Sequence, residues 1–330
     1  EGTEATKNKS PSTTTDFSQF YSVAVENLDY CTLIFLARKK IPFDNGVLNS
    51  VISKAVVLNQ TDNEFHSNSF MVHFLLNLGF CTDNCLFLSV KSQNVEAVKV
   101  IVNRFDSKKY DTVTDETKIV RFKSKEKREI LKKIANYKGD DKLHWTPLHV
   151  ASCLGNFELA ELLALREEVD VNSQDDEGNT ALTIAVSNQF VEIVKLLARI
   201  PRVDVNLPDN KGWSPLAIAV GNGYGEIVST LLENQKTNVN CSTKDEKATP
   251  LMIAVDTNNF DTFMIILNRK DVKVNEVTRN GKTAFSIGIE KERIKFVNAL
   301  VQTKKVDFSI GDAAQLIKKS KNPEIKKFSK

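Results

Sequence analysis

The residues able to do chemistry are few and poorly spaced for it. The four histidines His66, His73, His144 and His149 have no partner at ligand or proton-relay spacing. Cys81 and Cys85 could open a zinc site, but no second pair at ligand spacing completes one. Gly221-x-Gly223-x-Gly225 has the glycine density of a phosphate loop, yet it follows no strand and lacks the full fingerprint, so it reads as a tight turn between two helices. No serine elbow, paired-carboxylate arrangement or zinc-protease motif is present. The chain therefore reads as a non-enzyme without cofactor or metal. What remains are residues suited to binding: the two tryptophans, Trp145 and Trp213, and a lysine-rich stretch near the middle.

Composition agrees with a folded binder. Hydrophobic residues make up 41% and charged residues 26% of the 330, enough to build a core. The net charge of +3 is too small to imply nucleic acid by itself. The longest strongly apolar run, Tyr30 to Ala37, is far short of the ~20 residues that span a bilayer. Five cysteines, an odd number in a large chain, argue against a disulfide framework and for a reducing compartment. No basic-then-apolar leader opens the sequence, and residue 1 is Glu, so it reads as a fragment or a processed form. An intracellular location is expected, cytoplasmic or nuclear. The Lys- and Asn-rich composition leaves delivery into a host cell as an effector open.

The elements that must position these residues repeat. Segments opening at Thr146-Pro147-Leu148-His149, Thr180-Ala181-Leu182, Ser214-Pro215-Leu216, Thr249-Pro250-Leu251 and Thr283-Ala284-Phe285 step by 34, 34, 35 and 34 residues. A small residue follows five positions in: Ala151, Ala185, Ala219, Ala254 and Gly288. An acidic residue opens the second half of each unit at Glu158, Glu192, Glu226 and Asp261, and the units close on Val171-Asn172, Val205-Asn206, Val239-Asn240 and Val274-Asn275. Three beats in one register predict stacked helix pairs. Thr146 and Thr180 are placed to cap the first helix, the prolines sit at its first turn, and Leu162 and Leu163, Leu196 and Leu197, and Leu231 and Leu232 fall on the buried stripe of the second. Gly178, Gly212 and Gly281 fit a tip that needs left-handed backbone. Lys247 stands where that glycine belongs, in a turn one residue longer, so the finger from Cys241 to Ala248 should differ in shape.

Thr-Pro-Leu-His, the small residue, the Glu-Ile-Val-x-x-Leu-Leu pattern and Asp-Val-Asn together resemble the ankyrin repeat. The resemblance is specific over 141–310 and looser over 17–104, where Ser89 to Ile101 mirrors Ala185 to Leu197 and Leu75-Leu76-Asn77-Leu78-Gly79 matches the family's unit ending. It implies an all-α solenoid of about eight helix-pair units with hairpin-like turns. The expected organisation is a disordered tail over 1–15, degenerate repeats over 16–104, a basic helical insertion over 105–143, regular repeats over 144–312 and a capping half-repeat over 313–330.

Between Thr117 and Lys138 the insertion carries nine basic residues, including Lys123, Lys125, Lys127 and Arg128, against Glu126 and Glu129. Ile130, Leu131 and Ile134 would give it an apolar stripe against the solenoid. Its basic face reads as a contact for nucleic acid, anionic lipid or an acidic partner, as an import signal, or as a solvated helix face.

The resemblance further implies a binding surface on the concave side, made of turn tips and first helices. In this register the candidate positions at the tips are Trp145, Asp176, Glu177, Asn179, Asn210, Lys211, Trp213, Asp245, Glu246, Arg279, Asn280 and Lys282; on the helices they are Asn188, Asn222 and Asp256. His149 is expected to bond to neighbouring turn backbone. The expected function is protein–protein interaction by a monomer acting as scaffold, adaptor or inhibitor. The alternatives are an oligonucleotide-sensing domain, which strongly salt-dependent binding would reveal, and the regulatory end of a larger enzyme or channel.

Overall fold

The structure, a computed structural model, describes residues 85–104, 124–139, 142–320 and 322–327. The tail, the units expected before Cys85, Cys81 and the insertion up to Lys123 lie outside the described residues. Every regular element among those described is a helix. In chain order these are α1 Cys85–Lys91, α2 Val95–Arg104, α3 Ser124–Ala135, α4 Pro147–Leu154, α5 Phe157–Ala164, α6 Ala181–Ser187, α7 Val191–Arg199 and α8 Pro215–Gly221. They continue as α9 Gly225–Glu233, α10 Pro250–Asp256, α11 Phe260–Leu267, α12 Ala284–Glu290, α13 Ile294–Gln302, α14 Ala313–Lys319 and α15 Pro323–Lys326.

The first helices stack in one layer, α1 on α4 and then α6, α8, α10, α12 and α14. The second helices α2, α5, α7, α9, α11 and α13 stack in the other. The insertion therefore does not interrupt the solenoid. α1 and α2 meet α4 and α5 directly, while α3 leaves the stack and packs its Ile134 and Ala135 into the core beside α1. Cys85, half of the hypothetical zinc pair, is buried in α1.

Local chemistry explains where each first helix starts. The Thr146, Thr180, Ser214, Thr249 and Thr283 side chains accept from the amide three residues on, the N-cap bond that satisfies an orphan donor. Pro147, Pro215 and Pro250 occupy the first turn, where no N–H is needed. Between the layers, Ala151, Ala185, Ala219 and Ala254 are wholly buried. In the last regular unit even a methyl is too large, since a Cβ on Gly288 would lie 2.9 Å from Val297 Cγ2.

Two devices bind successive units together. Asn172 donates from Nδ2 to Arg202 O at 2.8 Å and accepts at Oδ1 from Asp204 N at 2.8 Å. Asn206, Asn240 and Asn275 repeat the same clip one unit further on each time. The second device replaces the family's Gly-Ala after the second helix. Arg202 reaches back to the carbonyls of Ala164, Arg166 and Val169, and Asn234 to that of Ala198, so the longer linkers cap the preceding helix.

Candidate functional site on the fingers and first helices

Each finger is a closed turn. Asp175 Oδ1 accepts from Glu177 N at 3.0 Å and Asn179 N at 2.7 Å, and Asp209 Oδ1 accepts from Lys211 N and Trp213 N in the same way. Gly178 and Gly212 turn the tips at φ 82° and 83°. A Cβ on either would strike the amide nitrogen of the next finger at 2.5 Å. Neighbouring fingers are joined by backbone bonds, Asn210 N to Glu177 O at 2.9 Å, Lys244 N to Lys211 O at 3.0 Å and Arg279 N to Glu246 O at 2.8 Å. The surface they present is consequently rigid and continuous. Asn136 extends the asparagine ladder backwards, donating to Glu168 O at 2.8 Å and accepting from Asp170 N, and Gly139 N bonds Trp145 O to close a finger before α4. No Asp-Val-Asn spelling surrounds Asn136, so this rung was not legible in the motif.

His149 holds its finger from below. Its Nδ1 accepts from Thr146 N at 3.0 Å, and Nε2 lies 3.0 Å from Ser173 O and 3.1 Å from Asn179 O. Burial pushes this imidazole below its ordinary range, against upward pulls from Asp175 and the two carbonyls. The neutral ring, with its proton on Nε2, satisfies all three contacts. The expectation that it bonds to neighbouring turn backbone holds. The Gly221-Gly223-Gly225 run is indeed the turn from α8 to α9, with Gly223 at φ 76°.

Most of the positions that register alone marks as unencumbered fall into two groups. In the first, the side chain is engaged within the protein. Trp145 donates from Nε1 to Asp175 Oδ2 at 3.0 Å, Asn179 Nδ2 bonds Asp175, Asn210 Nδ2 bonds Asp176 O, and Asn188 Nδ2 turns back to Ile184 O. Asp176 meets His144 Nδ1 at 2.6 Å. Arg279 bonds Lys244 O, and Lys282 pairs with Glu290 at 2.6 Å, which holds its ammonium above the ordinary range. Glu177 receives only a long 3.4 Å contact from Asn179. Asn222 ends α8, and Lys211, Asn222 and Asn280 are exposed.

In the second group the side chains meet at a pocket of about 480 Å³ where residues of three successive fingers face α10 and α12. Trp213, Ala248, Met252, Ile253 and Ile287 give it apolar walls; Asp245, Glu246 and Asp256 give it carboxylates. Thr243, Thr257 and Thr278 complete the lining. Among the described residues neither Asp245 nor Glu246 forms an ion pair, whereas Asp256 pairs with Lys291 at 2.6 Å. The finger from Cys241 to Ala248 that lines it is one residue longer than its neighbours. Thr243 replaces the closing aspartate, accepting from Ala248 N at 3.1 Å as Thr278 accepts from Lys282 N in the next finger, and Lys247 takes the left-handed turn at φ 56°. Register pointed to the acids and Trp213 but not to Met252, Ile253 and Ile287, three and four positions into first helices, because these three side chains are themselves buried.

In the insertion, Arg128 lies 3.3 Å from Glu167 and 3.5 Å from Glu168, both at the end of the α4–α5 unit. Lys125 and Lys127 lie on α3, Lys123 falls outside the described residues, and Lys132 and Lys133 are exposed. Among the described residues no group of histidine, cysteine or acidic side chains is arranged to hold a metal ion, and no helix is long and apolar enough to cross a membrane.

Stacked helix pairs, capped by threonine, clipped by asparagine and fringed with hydrogen-bonded fingers, define a class of repeat scaffold. A family model described as ankyrin repeats matches residues 63–175, 155–245 and 235–312, so the chain belongs to the ankyrin-repeat family. Comparison with curated proteins finds no match. Ankyrin repeats generally mediate protein–protein interaction.

Proposed function

We propose that this chain is a protein-binding scaffold, adaptor or inhibitor that docks its partner on the face shared by fingers and first helices. The observation that supports this most directly is the pocket lined by Trp213, Asp245, Glu246 and Asp256 on a face held rigid by finger-to-finger hydrogen bonds. A preformed surface loses little entropy on binding, and a tryptophan beside a pocket is the kind of anchor that dominates interface energies. The unpaired charge at the pocket is negative, which disfavours phosphate and favours a protein ligand over an oligonucleotide.

Photo-crosslinking tests the reading. A photoreactive residue at Glu177 or Asn222, on this face, is compared with one at Asp261 or Lys295, on the second-helix layer. Nuclease-insensitive protein adducts from the first pair and not the second are expected. Adducts only from the second pair, or adducts abolished by nuclease, would refute it.

A further inference from the structure

We infer that the pocket beside Trp213 receives an arginine side chain from an extended segment of the partner protein. The inference rests on the protein-binding reading above and names the chemistry that the reading leaves open.

Three local features converge there, two at positions that vary from unit to unit and one a change of finger length. The position before the capping residue holds Trp145, Asn179, Trp213, Ala248 and Lys282 in successive units. Alanine at 248 leaves vacant the volume that tryptophan fills one finger earlier. Gly221 is the second feature. A Cβ there would lie 3.3 Å from Trp213 Cζ3 and 3.5 Å from Ile253 Cγ2, so the glycine lets the indole settle against the end of α8 as a wall of the pocket. The third is the longer finger, which brings Asp245 and Glu246 to the rim.

The two tryptophans are not equivalent. Trp145 spends its Nε1 proton on Asp175. Trp213 makes no side-chain hydrogen bond among the described residues, and its ring is only half-buried. An aromatic wall, an aliphatic floor and unpaired carboxylates at the rim match one side chain better than others. The guanidinium of arginine stacks flat on an indole, is weakly hydrated and forks between carboxylate oxygens, while its methylenes suit Met252 and Ile253. Lysine offers a strongly hydrated point charge with no flat face. A phosphate would meet the carboxylates with like charge. Lys291 does not fill the role, since it lies against Asp256.

The experiment uses the full chain carrying Trp145→Phe, so that Trp213 is the sole fluorescent indole. It is titrated with degenerate nonapeptide pools bearing a fixed central arginine, lysine, citrulline or glutamine. The arginine pool is expected to quench Trp213 and to bind about tenfold more tightly than the isosteric, neutral citrulline pool, the margin of a charge-assisted hydrogen bond. The Asp245→Asn, Glu246→Gln variant should erase that margin while its circular dichroism and melting curve stay unchanged, because both carboxylates are exposed and neither forms an ion pair among the described residues, Lys282 near Glu246 being held by Glu290. Equal binding of the arginine and citrulline pools, or a margin that survives the double variant, would overturn the inference. So would a lysine pool that matches arginine, or a single-stranded oligonucleotide that quenches Trp213 and competes. Crosslinking from Glu177 and Asn222, which do not line the pocket, reads the protein-binding proposal separately. Its persistence alongside a failed arginine margin would sink this inference alone.

Discussion

Replacing Gly288 by alanine sets two effects of known sign against each other. Gly288 lies inside α12, where alanine would lower the helix free energy by about 1 kcal/mol through backbone entropy. Every other regular unit has alanine at this position, so pattern alone favours the change. The packing opposes it. The new methyl would sit 2.9 Å from Val297 Cγ2, against 3.4–4 Å for an ordinary contact, with Val255 Cγ1 behind it at 3.6 Å. Both valines are fully buried, and a β-branched side chain cannot rotate away cheaply. Overpacking of this kind costs roughly 2 kcal/mol, which exceeds the propensity gain and leaves a net loss of about 1 kcal/mol.

The cause is isolated by a double-mutant cycle. Val297→Ala removes the obstructing methyl, so in that background Gly288→Ala should stabilise by about 1 kcal/mol. The sign reversal corresponds to a coupling of about 2 kcal/mol between the two sites. Urea unfolding followed by far-ultraviolet circular dichroism measures all four proteins, with the m-value showing whether the terminal units decouple. A stabilised Gly288→Ala single mutant, or no coupling with Val297, would show that the two helices do not approach as described.

Three other perturbations test separate parts of the structure. The folded His149 proton affinity lies below that of the unfolded chain, near pH 6.5, so its contribution to stability is complete above that pH and is lost as pH falls through the lower folded value. Unfolding free energies measured from pH 7.5 to 4.5 should therefore fall less steeply in His149→Thr than in the wild type; parallel curves would contradict it. Lys247→Gly relieves a left-handed lysine and should stabilise by about 0.5–1 kcal/mol without changing affinity for the arginine pool. Calorimetry showing a lower Tm would mean the lysine is not strained. Ile134→Ala should cost about 2–4 kcal/mol in urea unfolding, since Ile134 is buried in the common core. A cost below about 0.5 kcal/mol would demote α3 to a loose appendage.

The helix pairs were legible because each carries redundant local signals. Thr180 caps, Ala185 is small and Leu197 is buried, and any one of them would place the unit. What escaped the sequence is chemistry between units. Arg202 and Asn234 look like linker polarity, yet each caps a helix more than thirty residues back. Lys99 and Lys195 share a register position, and each joins a glutamate of its own helix to one on the next unit, Glu158 and Glu226. A one-unit pattern shows the first partner only. Asn136 went unnoticed for the converse reason, since its neighbours lost the motif while its side chain kept the geometry.

The same distinction separates stabilising residues from those left for binding. A position whose identity is repeated from unit to unit is explained by the stack, and asparagine recurs at 172, 206, 240 and 275 because each clips the following unit. Positions that break the pattern are unexplained by the stack and must be judged by where they fall. Gly288 breaks it alone, and its neighbour Val297 accounts for it. The extra residue in the Asp245–Lys247 turn breaks it beside a pocket, and Gly221 and Ala248, at positions that vary from unit to unit, border the same pocket. Two of them carry a stability cost: alanine forgoes apolar burial at a finger base, and Lys247 holds a backbone angle suited to glycine. Local rules broken without a local gain mark the sites where a sequence serves something other than its own fold. Here these features share one product, a pocket with apolar walls and exposed carboxylates, which is where the proposed arginine would act.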